Sequence, residues 1–181
     1  MAYKYESILK TFSYSKESCK IISDFLLSGD ITNPNILLNV TKVSKEFGKR
    51  AVNWFPNPSV VAFTKALIRI KIQDNDKKLK KAFKKFIKLN ISEVRISDLT
   101  QNSGFITILE NLDHKQLLKL MKEIGLVSVK KGNLKGSQNG KSVQGTWIHK
   151  DLAIRYAEWL DDEFSIWVSQ KINLISMTLK L

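Results

Sequence analysis

Apolar residues recur at helical spacing along much of the chain. Cys19, Ile22 and Leu26 share one face behind a capping Ser15 and stop at Gly29, which predicts a helix near the N-terminus. Asn35 to Val40 is a short apolar run of strand length. Thr41 to Phe47 reads as a helix ended by Gly48, and Lys49 to Phe55 as a second one ended by Pro56. Two short helices around a glycine-containing turn read as a helix-turn-helix. Asn57-Pro58 is a helix start with proline at the first helical position, followed by Val61, Thr64, Leu67 and Ile68. From Asp76 to Leu89, a stripe of Leu79, Phe83, Phe86 and Ile87 is set among lysines. Glu93-Val-Arg-Ile96 alternates like a strand, while Phe105 to Leu109 fits strand or helix. Asp113 and Gln116 have capping-box spacing ahead of a helix through Leu117, Leu118, Met121 and Ile124, ended by Gly125.

The pattern then changes period. Leu126 to Lys131 alternates apolar and polar residues, and Val143 to Ile148 has β-branched and aromatic content. Between these strands lie Gly132, Gly136 and Gly140 among polar residues, which predicts a hairpin with a polar tip. An amphipathic helix follows at once, with Leu152, Ala153, Tyr156, Ala157 and Leu160 on one face. Asp161 or Asp162 is placed to cap a last helix bearing Phe164, Val168, Ile172 and Ile175. Trp147 is expected to be buried beneath the hairpin, Trp54 to be a core anchor, and His149 to bond locally at the turn.

Two blocks of residues carry a resemblance. Gln144-Gly-Thr-Trp-Ile-His149, Asp151-Leu-Ala153 and Ala157-x-Trp159 resemble the signature of the KilA-N domain. That is a DNA-binding module of phages and large DNA viruses, similar in turn to the APSES domain of fungal transcription factors. A second block, Leu38-Asn-Val-Thr-Lys42, Gly48-Lys49 and Trp54, lies upstream in the family's order. The resemblance covers roughly Ile36 to Ile70 and Leu126 to Val168. Lys150 stands where the family often has proline, and the spacer between the blocks is long. The resemblance implies an α+β, winged helix-turn-helix-like KilA-N/APSES fold with a small antiparallel sheet, a β-hairpin wing and flanking helices. Residues 1–30 would form a helical extension. Residues 31–181 would form the domain, with a Lys-rich helical insertion at about 74–125.

Charge sharpens this picture. The 181-residue chain carries 30 Lys and Arg against 17 Asp and Glu, a net charge of +13, which points to a polyanionic partner. One cysteine and two histidines exclude a disulfide framework and a Cys/His zinc site. No stretch reads as a signal peptide or a membrane span. The expected setting is therefore the host cytosol, or the nucleus where the host has one. Lys130, Lys131, Lys135 and Lys141 surround the hairpin tip, with no carboxylate between Ile124 and Lys150. Ser137, Gln138, Asn139 and Gln144 add neutral donors and acceptors, and amides can bond adenine bidentately. In the helix pair, Lys42, Lys45, Lys49 and Arg50 suit phosphate contacts, and Asn53 can reach a base edge. Gly140-Lys141-Ser142 resembles the end of a Walker motif, but the glycine spacing is one residue short and a strand follows. The acidic run Asp161, Asp162 and Glu163 is explained by helix capping rather than by a metal.

The expected protein is a double-stranded DNA-binding regulator of phage, prophage or viral origin, without enzymatic activity, cofactor or metal. A module that inhibits a host system, and a DNA-processing enzyme, are the rival readings. A homodimer and a host protein stay open as further partners, and no membrane partner is expected.

Overall fold

The structure, a computed structural model, describes residues 37–92, 94, 99–130, 145–166 and 168–169. The helical extension expected over residues 1–30 lies outside them, as does most of the strand expected at residues 93–96. The chain opens with strand β1 (Leu37–Asn39) and helix α1 (Val40–Glu46), then a 3₁₀ turn (Ala51–Asn53). Four helices follow: α2 (Pro58–Gln73), α3 (Lys77–Asn90), α4 (Asn102–Asn111) and α5 (His114–Glu123). Strands β2 (Val127–Lys130) and β3 (Gly145–His149) lead through a 3₁₀ turn (Lys150–Leu152) into α6 (Ala153–Leu160), and residues 162–166 turn helical again. This is an α+β fold around a small antiparallel sheet. None of the described helices is long and apolar enough to cross a membrane.

Side-chain caps set the helix starts. Asn57 accepts the Ser59 amide at 3.0 Å, with Pro58 behind it. Asp76 accepts the Leu79 amide at 3.0 Å. Asp113 accepts the Gln116 amide at 2.7 Å while Gln116 Oε1 accepts the Asp113 amide at 3.1 Å, a reciprocal capping box. The ambiguous stretch at Phe105 is helical, because Phe105 and Leu109, one turn apart, are both buried. Asp74 to Asp76 is a tight turn through Asn75, whose φ of 59° is tolerated by asparagine. Core residues from both sides of it, Ile68 and Ile72 with Leu79 and Phe83, belong to one apolar cluster.

Helix α3 shows which force wins. Its seven lysines include four i,i+4 pairs of like charge, at 77/81, 80/84, 81/85 and 84/88. Each costs about 0.2–0.5 kcal/mol, roughly 1–2 kcal/mol together. Against this, Leu79, Phe83, Phe86 and Ile87 are buried, each worth about 1.5–3 kcal/mol. Burial outweighs the repulsion several-fold, so the helix holds.

Strand β3 is central in the order β1-β3-β2, antiparallel to both neighbours. Ile148 faces the core and is fully buried. Trp147 therefore points to the other side of the sheet, because strand side chains alternate. It stands in register with Asn39 and Ser128 and is only half-buried. This corrects the expectation that Trp147 is buried. Among the described tryptophans Trp54 is the fully buried one, edge-on to Tyr156 at 5.0 Å and to Phe55 at 5.2 Å.

Candidate nucleic-acid interface

The hairpin stem follows from its alternation. Val127 pairs with Ile148, Ser128 with Trp147, Val129 with Thr146 and Lys130 with Gly145. His149 extends the ladder by donating its amide to Leu126 O at 2.8 Å. The tip, residues 131–144, lies outside the described residues, and with it Lys131, Lys135, Ser137, Gln138, Asn139, Lys141 and Gln144. Lys130 ends β2 and Lys42 lies in α1, but their side chains also lie outside the described part. The stem nonetheless fixes where the tip leaves and re-enters the fold, from Lys130 to Gly145.

Helix α1 is joined to this stem and to α6. The Thr146 amide donates to Thr41 Oγ1 at 2.8 Å. Ser44 Oγ donates to Val40 O at 2.8 Å and also meets the Tyr156 hydroxyl, which itself reaches Val40 O at 3.2 Å. Burial pushes the Tyr156 phenol up to about 12, with the Ser44 bond opposing. Helix α1 ends at Gly48, whose φ of 61° suits glycine. Arg50 is then extended, and Ala51 to Asn53 form a single 3₁₀ turn. The second helix of the expected pair is thus one turn long. The extended backbone at Arg50 keeps the start of this stretch out of the helix, and proline disfavours helical geometry at Phe55.

The structure divides the candidate cations. Lys45, Arg50 and Asn53 are exposed along the end of α1 and the 3₁₀ turn, beside Val52. Lys49 has a different task. Its Nζ donates to the carbonyls of Trp159 and, at 3.0 Å, Leu160, and lies 5.0 Å from the Trp159 ring centre. A cation there satisfies the open carbonyls at the end of α6 and meets its macrodipole. Lys49 holds the fold together instead of facing outward. No local signal marks this, because its partners lie more than 100 residues away.

The far end of β3 is fixed by a second polar group. His149 is buried, and its Nδ1 lies 3.2 Å from the Asp151 amide and 3.3 Å from the Asp151 carboxylate. The two contacts need opposite roles of Nδ1, which accepts from the amide without a hydrogen and donates to the carboxylate with one. Lys71 approaches the same carboxylate at 3.0 Å. The His149 hydrogen bond, then Lys71, hold Asp151 well below the usual carboxylate range. A depressed folded value contributes stability that is fully present above the unfolded pKa of 3.8 and is lost as pH falls below it through the folded value. Stability followed by denaturant titration from about pH 6 to about pH 2 should therefore fall less steeply in Asp151→Asn than in the parent. Equal slopes would show that this carboxylate does not govern the acid limb.

Asp161 accepts the Phe164 amide at 2.9 Å, the expected cap. Among the described residues, no three His, Cys, Asp or Glu side chains are grouped to hold a metal ion.

The comparisons add a family and nothing closer. No curated protein and no solved structure matches the chain. The family model of the KilA-N domain matches residues 77–177, which take in the hairpin stem, the Trp147 to His149 strand end and α6. The upstream block, Leu38 to Trp54, lies before that match. Since the match covers more than half of the sequence, the chain belongs to the KilA-N family of DNA-binding domains.

Proposed function

We propose that the protein is a regulator of transcription or replication, of phage, prophage or viral origin, that binds double-stranded DNA. The family match over the hairpin carries this reading, and the net charge of +13 supports it. The hairpin acts as a wing, with Lys130, Lys131, Lys135 and Lys141 on phosphates and Ser137, Gln138, Asn139 and Gln144 within reach of bases. Lys42, Lys45, Arg50 and Asn53 contact the duplex from α1 and the turn after it, in the manner of a helix-turn-helix. The exposed positions of Lys45, Arg50 and Asn53 favour this, and Lys49 is left out because it is engaged within the fold. The protein works in the host cytosol or nucleus and carries out no reaction, so duplex incubated with it and magnesium should be recovered intact.

Four wing variants separate positioning from readout. Lys135→Ala and Lys141→Ala should weaken binding to every duplex alike and each reduce the salt slope by about one unit. Gln138→Ala or Asn139→Ala should cost about 1–3 kcal/mol on a selected site and little on scrambled DNA. Affinities for both duplexes decide it. Equal losses on the two would reduce the wing to positioning and move readout to Asn53. Parent-like binding by all four would remove the wing from the interface.

A further inference from the structure

We infer that the lysine face of α3, continued by α5, is a second nucleic-acid surface that grips the duplex backbone without regard to sequence. It rests on the DNA-binding reading for its partner, but its lysines are not those of the wing. Lys77, Lys78, Lys81, Lys85 and Lys88 are exposed on the side of α3 opposite Leu79, Phe83, Phe86 and Ile87. A helix of 14 residues is about 21 Å long. A duplex of that length presents about twelve phosphates.

Helix α5 lies alongside, joined by the Lys85–Glu123 bridge at 2.6 Å. It exposes Lys115, Lys119 and Lys122 at the spacing of a single helix face. Of the nearby acids, Glu123 is engaged by Lys85 and Asp76 and Asp113 as caps, while exposed Asp74 lies in the turn before the helix. Among the described residues, no carboxylate pairs with Lys77, Lys78, Lys81 or Lys88.

A merely solvated face would mix the two signs of charge. This helix contains no acid, and it sets Lys77 and Lys78 in its first turn, where the macrodipole disfavours cations. A polyanion relieves both penalties. A membrane fits poorly, because Leu79, Phe83, Phe86 and Ile87 are buried in the core, and Leu89 at the last turn is the one large apolar side chain the helix leaves exposed, too little to insert. An acidic protein fits poorly too. Specific protein interfaces deplete lysine and rely on aromatic and arginine anchors, and this face offers only flexible ammonium groups.

The test is Lys77→Gln/Lys81→Gln/Lys88→Gln, with Lys135→Ala/Lys141→Ala as the wing control. Glutamine keeps helix propensity, and circular dichroism checks the fold. Three lost phosphate contacts should flatten the salt slope by about 2.7 units and weaken binding about a hundredfold near 0.15 M salt, equally on selected and scrambled duplexes. If the triple variant binds as the parent does while the wing control loses affinity, this inference fails and the DNA-binding reading stands. If the parent binds no duplex at low salt, both fail. A loss confined to the selected duplex, or a loss of binding only to phosphatidylserine vesicles, also overturns the inference.

Discussion

Affinity for duplex DNA should fall several hundred-fold when salt rises from 50 to 200 mM. Each neutralised phosphate releases counterions, and log K falls with a slope of about −0.9 per phosphate. The wing and the α1 region have enough cations for about five contacts, which gives a slope near −4.5. A fourfold rise in salt then costs a factor of about 500. If α3 adds three phosphates, the slope steepens to about −7. Fluorescence anisotropy of a labelled duplex over a salt series measures it. A shallow or flat dependence would mean that binding is not built on lysine and phosphate, and the charge of +13 would need another explanation.

Trp54→Ala should destabilise the protein by about 3–5 kcal/mol, a large part of the stability of an ordinary domain. Trp54 has no exposed surface and lies between Tyr156 and Phe55, so truncation leaves a cavity joining α6 to the turn after α1. Its Nε1 finds no hydrogen-bond partner among the described residues, so no compensating polar bond is lost. Trp147→Ala should cost much less, about 1–2 kcal/mol, because that ring is only half-buried. Urea denaturation of both variants gives the comparison. The reverse order of costs would overturn the assignment of the core tryptophan.

Signals between near neighbours in the sequence were legible, and signals that cross the fold were not. Asp113 and Gln116 announce their capping box because both partners sit within one turn. Asn57-Pro58, Asp76 and the apolar face from Leu152 to Leu160 are local in the same way. The choice at Phe105 needed packing, since a short apolar run fits either period. The fate of Trp147 depended on which face of β3 meets the core. Alternation separates Trp147 from Ile148 but does not say which goes inside. The helix expected over Lys49 to Phe55 is only the turn Ala51 to Asn53, because the sequence shows the stops at Gly48 and Pro56 but not the extended backbone at Arg50. Among the interface candidates, exposed Lys45 and Arg50 look the same in sequence as Lys49, which is drawn inward by carbonyls on α6.

The sheet has a consequence for the order in which the molecule can assemble. Among the described residues strand β1 bonds only to β3, with Leu37 opposite His149, so its partner is made last of the three strands. Ser44 and Tyr156 meet over a similar separation of 112 residues. The pairing of α3 with α5 spans a much shorter stretch. Loop closure over a long segment costs more entropy, and such contacts slow folding. On the ribosome the helices from α2 to α5 can collapse first, while β1 and α1 wait for the C-terminal third of the chain. The half that carries the upstream signature thus depends for its structure on the half synthesised last. A nascent or truncated chain that stops before β3 would present β1 as an unpaired edge, open to pairing with another copy.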